Sequence, residues 1–270
     1  MGKWAEAAFG KATFGRVGIV IAGTIKSHVE DEIVGLFDKV LSRRDIVYHA
    51  YRMKKGKHEI PFVTNVYGAP AMVDVMSEMH DGGCRTLVFI GSAYGFMNLP
   101  VATIVVTDKC FHFDGIYHHI EPDRKSASPD KKLKAVVETV FKKNKLPFSN
   151  GTNISVPAVT FQPRHANREY SAIKPKTLEM ELAACFSRAQ DLGIRAVGIL
   201  VVSDNRSHSI GSDGKAKRDA ARRNVLESVL TNLKQLDLSP IKGKRFTIDS
   251  YLASVIEDPS DETNIYKQKK

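Results

Sequence analysis

The residues of this chain best suited to chemistry are three acids in one stretch. In LEMELAACFSRAQDLGIRAVGILVVSDN, residues 178–205, Glu179 and Glu181 flank Met180, and Asp204 ends a long apolar run. A carboxyl at the end of such a run is partly withdrawn from water, which raises its pKa and lets it carry a proton near neutrality. The same aspartate also suits a turn or a helix N-cap. A carboxylate aimed into a pocket offers two oxygens to two adjacent hydroxyls. Glu179 and Glu181 have a second use as well, because acids in the first turn of a helix over 178–191 interact favourably with its dipole. Residues two apart do not share a helix face, so the spacing does not make them a catalytic pair.

The glycine turns carry a different chemistry. VIAGTIK ends at Gly23, with Lys26 three residues on, and FIGS ends at Gly91-Ser92. Backbone N–H groups exposed at such turns, near helix starts, bind phosphate or other anions. The histidines offer less. His112, His118 and His119 have no carboxylate or cysteine pattern around them that spells a metal site. No Ser-His-Asp or Cys-His arrangement and no GxGxxG fingerprint is legible.

These residues need elements to hold them. Short β-branched runs alternate with helical patterns: 16–23, 60–66, 85–92, 103–108, 154–159 and 195–204 read as strands. Val29, Ile33, Leu36, Phe37 and Val40 recur at helical spacing and predict one helix across 24–44. Pro70 sits where a first helical turn would begin, before 71–83. Residues 216–236 form an amphipathic helix with Val225, Val229 and Leu233 in register. Such alternation implies an α/β fold around a largely parallel, buried sheet. In sheets of this kind ligands lie at the carboxyl ends of the strands, and Gly23, Tyr67-Gly68, Gly91-Ser92 and Ser203-Asp204 all fall there. There is no internal repeat and no convincing linker. A single domain over 1–240 with a polar extension over 241–270 is expected.

Composition narrows the classes. The chain has 270 residues and a formal net charge of +10, with the Lys and Arg scattered rather than clustered. With no zinc-finger spacing and no aromatic ribonucleoprotein motif, this favours a small anionic substrate over nucleic acid. No apolar run approaches the roughly 20 residues that span a bilayer. The N-terminus reads neither as a signal peptide nor as a myristoylation site. Cys84, Cys110 and Cys185 are odd in number and widely spaced, and they read as small buried residues of a reducing cytoplasm.

LEMELAACF followed by GIRAVGILVVSDN resembles the nucleoside phosphorylase family, in which a Met-Glu pair and a later Ser-Asp recur at this spacing. FIGSAYGFMNLPVATIVVTD, VYGAP and VIAGTIK resemble the family's Gly-Ser segment, its turn before a helix and its phosphate turn. The similarity runs from about residue 16 to about residue 236. It implies a single-domain three-layer fold with a mixed central β-sheet flanked by helices. It also implies phosphorolysis of a nucleoside to free base and ribose 1-phosphate, with inorganic phosphate as co-substrate and no other cofactor. On this resemblance Glu181 binds the ribose hydroxyls, Met180 packs on the sugar and Asp204 protonates a leaving purine at N7. Gly23, Lys26 and Ser92 contact phosphate, with Arg43 or Arg44 supplied by a neighbouring subunit. Tyr67 meets the sugar and Phe161 stacks on the base. Arg168 or His165 reads a pyrimidine if the substrate is uridine. The resemblance further implies a homo-oligomer, a dimer or a hexamer.

Two departures from the family stand out. Phe89 occupies the position where the family's phosphorylases usually carry an arginine, and Lys26-Ser27 stand where the first turn usually reaches one. A hydrolytic nucleosidase or a non-catalytic nucleoside-binding relative is therefore the alternative. Against the nucleosidase, no acid precedes Glu30 in the turn after the first strand.

Overall fold

A computed structural model describes residues 2–45, 47–118, 121–161, 170, 172–209 and 214–243, with only the backbone of Phe161. Among the described residues ten strands make one sheet: β1 (Val17–Ala22), β2 (Lys39–Asp45), β3 (His49–Lys55), β4 (His58–Val66), β5 (Thr86–Gly95), β6 (Ile104–His112), β7 (Ser126–Ala127), β8 (Ser149–Ser155), β9 (Thr177–Glu179) and β10 (Arg195–Asn205). Their order is β10-β6-β8-β9-β5-β1-β4-β3-β2, with β7 beside β6. Because β10 also pairs with β5, the strands β5, β9, β8, β6 and β10 close into a ring. The others run off β5 as an open wing.

Helices cover both faces. On one side lie α1 (Lys3–Phe9), α3 (Ala69–Asp81) and α5 (Leu182–Leu192). On the other lie α2 (Ser27–Val34), α4 (Lys131–Lys143), α6 (Lys215–Leu230) and α7 (Leu233–Leu236). The strand alternation divides the core accordingly. Val17, Ile19 and Ile21 of β1 join the second layer, while Val20 and Ala22 join the first. Since both faces are covered, β1 and β10 are buried at every position, which is why they read as unbroken apolar runs. This is the three-layer α/β arrangement with a mixed central sheet.

Three expectations need correction. The sheet is mixed rather than largely parallel. β2, β3 and β4 are joined by short turns, and a short turn can only return the chain antiparallel. The helix expected over 24–44 stops at Val34. Gly35 follows, and Val40 lies on the edge strand β2, paired with Met53. Phe37 still reaches the core by packing on Phe62, with ring centroids 4.9 Å apart, so helical spacing persisted by coincidence. Finally, the helix expected over 178–191 begins only at Leu182, after Glu179 has closed β9.

The three cysteines are free and buried. Among the described residues no helix is long and apolar enough to cross a membrane. Residues 244–270, most of the expected extension, lie outside the described residues.

Candidate active site

A cleft of about 420 Å³ opens at the carboxyl ends of β1, β5 and β10. That is ample for a small organic ligand. Its walls bring together Gly23, Lys26, Tyr67, Ser92, Met180, Glu181 and Asp204, seven residues that the sequence scatters across the chain.

β1 is followed by Gly23, whose backbone is left-handed at φ 85°. A side chain would be strained there, so glycine is required. Its N–H donates to the Val66 carbonyl at 2.7 Å, which ties the turn to the end of β4. Two residues on, the N–H of Ile25 donates to Asn65 Oδ1 at 2.7 Å. Lys26 then precedes α2 and faces the cleft.

Glu179 and Glu181 divide the labour at the start of α5. Glu179 Oε2 accepts the N–H groups of Glu181 and Leu182, both at 2.7 Å. Its Oε1 accepts from Asn153 Nδ2 at 2.7 Å and from Ser155 Oγ. A helix leaves its first N–H groups without partners, and this carboxylate satisfies two of them. Glu181 is thereby freed to face the cleft. Its Oε1 accepts the Gly68 N–H at 2.6 Å. Gly68 sits at φ 85°, ψ 158°, a region essentially confined to glycine. Burial, and next the charge of Glu179, push the Glu181 carboxyl up to about 8. Burial raises Glu179 as well.

At the end of β10 the register against β5 slips between Val202 and Asp204. Such bulges re-aim side chains at strand ends, and here the bulge turns Asp204 into the cleft. Asp204 is 8% exposed. Burial raises its pKa, while the Ser203 hydroxyl, donating to Oδ1 at 2.6 Å, and the nearby Arg218 favour the ionised form. The balance lies upward, as a group meant to hand over a proton requires.

Met180 is buried beside the cleft, and Tyr67, 54% exposed, stands at its rim. Phe161 belongs to a short turn, Val159–Phe161, whose Val159 lines the cleft. Arg168 and His165 lie outside the described residues. Arg44 lies exposed on the edge strand β2 and does not line its own chain's cleft. Phe89 is fully buried in β5, its ring folded over Gly91.

Sequence reading missed one wall. Lys215, Arg218, Asp219 and Arg222 of α6 all line the cleft. Arg222 Nη2 donates to Ser92 Oγ at 2.5 Å, and Arg218 Nε donates to Asp219 Oδ1 at 3.0 Å. A signal for Arg222 was present in the spacing. Residues 222, 225, 226, 229 and 230 form the buried stripe of α6, so a cation stands among apolar side chains. His112 bonds the Ser187 hydroxyl at 2.8 Å and faces Asp114.

The family model of the phosphorylase superfamily matches residues 40–238, and the chain belongs to that superfamily. Solved structures share the fold. The Campylobacter jejuni 5'-methylthioadenosine/S-adenosyl homocysteine nucleosidase superposes with a TM-score of 0.71 at 16% identity, covering 82% of this chain and 100% of that one. The Toxoplasma gondii purine nucleoside phosphorylase in complex with immucillin-H gives 0.71 at 14% identity, over 82% and 92%. The Plasmodium knowlesi homolog of P. falciparum PNP gives 0.65 at 15% identity, over 81% and 90%. The shared fold thus spans both a nucleosidase and phosphorylases.

Proposed function

We propose that the protein cleaves the N-glycosidic bond of a nucleoside, purine favoured, with inorganic phosphate as the attacking group. One observation carries the reading: Glu181, Asp204 and the Gly23 and Ser92 turns all line one cleft. Glu181 accepts hydrogen bonds from the two ribose hydroxyls. Phosphate rests against Ser92, Lys26 and the Gly23 turn, below the sugar ring. As the bond from C1′ to the base nitrogen breaks, its electron pair passes to the base, and Asp204 delivers a proton to N7. A phosphate oxygen forms the new bond to C1′, leaving free base and ribose 1-phosphate. The oxocarbenium-like transition state is held by the anion beneath it and by the protonated leaving group.

Phosphate is preferred to water on the chemistry of the walls. Glu30 follows β1 most closely among the acids, yet it does not line the cleft. It is buried against His49 Nδ1 at 2.8 Å and the Thr64 hydroxyl. No carboxylate of that turn is left to activate water. Arg44, exposed on an edge strand, remains available to a neighbouring copy's cleft in the homo-oligomer we propose.

Incubation with inosine, adenosine, methylthioadenosine and uridine, each with and without phosphate, tests the reading. Base and ribose 1-phosphate should form only with phosphate. Free ribose at equal rates under both conditions would assign hydrolysis, and no base release across the panel would leave a binding protein.

A further inference from the structure

Arg222 carries a buried charge for which the described residues offer no hydrogen-bonded counter-ion. The residue is 4% exposed. Its Nε is buried, with no hydrogen-bond partner among the described residues. Nη2 donates to Ser92 Oγ, a neutral acceptor. Nη1 lies 3.6 Å from Asp219 Oδ1, beyond hydrogen-bond length, and Arg218 already holds that oxygen at 3.0 Å. Burial, with Arg218 adding repulsion, lowers the Arg222 pKa to about 10, so the group is still charged at neutral pH.

Keeping a cation in that state is costly, since a buried charge without a hydrogen-bonded counter-charge gives up its solvation uncompensated. An apolar side chain would complete the stripe made by Val225, Leu226 and Val229 at no such cost. The guanidinium lines the cleft instead, against the hydroxyl expected to touch phosphate. Two adjacent N–H groups on a planar fork match two oxygens of a phosphate. β5 supplies no cation from its own side, because Phe89 is packed over Gly91.

We propose that Arg222 grips the co-substrate phosphate through Nε and one Nη, with Ser92 sharing the same anion; this rests on the phosphorolytic reading above. Ser92 Oγ keeps the place of one anion oxygen beside Nη2. When the anion enters, the serine hydroxyl turns its proton to a phosphate oxygen, and the orphan Nε gains its acceptor. The positive wall of the anion site thus comes from α6.

Steady-state kinetics of the full chain with inosine or adenosine, varying phosphate, test this with R222M, which keeps the bulk, and R222K, which keeps the charge but not the fork. The KM for phosphate should rise about 10- to 100-fold in R222M, as loss of a charged hydrogen bond implies. R222K should fall between R222M and wild type, and the nucleoside KM should stay within about twofold in both. A role limited to bracing Ser92 and α6 would disturb kcat and the nucleoside KM together. A phosphate KM unchanged in both variants overturns the proposal. Should R222M fail to fold, R222K and wild-type crystals soaked in phosphate decide: the anion must sit within hydrogen-bond distance of Arg222 Nε, and an anion held elsewhere in the cleft overturns the assignment. Cleavage by the unaltered protein that ignores phosphate would instead remove the phosphorolytic reading itself.

Discussion

The Glu179 carboxylate receives the backbone N–H of Glu181 at 2.7 Å, and this contact sets the direction in which Glu181 points. Two acids two residues apart are thus not competitors for one role. One completes the helix start, and the other is presented to the cleft.

Replacing Glu179 by Gln puts an amide among donors that now share one carboxylate. At least one of these donors loses its acceptor, a loss of about 1–3 kcal/mol. Thermal unfolding should move down by roughly 2–4 °C for each kcal/mol. Nucleoside affinity should fall as well, because Glu181 loses its aim. A variant as stable as wild type would assign the helix start to other groups.

Glu181→Gln should act on the sugar. Isothermal titration with inosine should show affinity reduced about tenfold or more, since a carboxylate accepts from hydroxyls more strongly than an amide. Binding of the free base alone should change little. Equal weakening for base and nucleoside would place the diol elsewhere.

The raised Glu181 pKa has two consequences with definite signs. The ribose hydroxyls donate to the ionised carboxylate, so nucleoside affinity should increase as pH rises through about 8. Stability runs the opposite way. The folded protein holds this proton more tightly than the unfolded chain, whose carboxyl titrates near 4.5. The stabilisation is complete below that lower value and is lost as pH rises through about 8. Glu181→Gln should therefore melt higher than wild type at about pH 9 and lose the pH dependence of binding. Parallel melting curves for the two proteins would contradict the assignment.

Asp204→Asn removes the proton donor and keeps the shape. Cleavage of inosine or adenosine should slow about 10²- to 10⁴-fold. A substrate already methylated and cationic at N7 needs no proton, so its cleavage should be nearly unaffected. If both substrates slow equally, Asp204 is not the acid.

The parts of this molecule that were legible in its sequence are those buried on both faces. β1 and β10 read as strands because both their faces are covered, which makes their interiors almost wholly apolar, and β4 because Ile60, Phe62 and Val63 at its centre are buried. The cleft residues at their ends followed from that placement. The wing was harder. The β2 burial pattern is mostly exposed, so Val40 gave no alternation to set against the helical spacing of Val29, Ile33 and Phe37. Glu179 was misplaced for a related reason: three residues of β9 are too few to show any period. Arg218 and Arg222 were not singled out: the buried stripe of α6 places a cation at 222, but the tertiary contact of α6 with the end of β5 is what brings it to the cleft.

The most direct measurement is a crystal structure with an intact purine nucleoside bound in the Asp204→Asn protein. The account predicts one nucleoside across the cleft, with both ribose hydroxyls hydrogen-bonded to Glu181 and N7 of the base within reach of residue 204. A nucleoside seated elsewhere, or one that touches only one of the two positions, would contradict it.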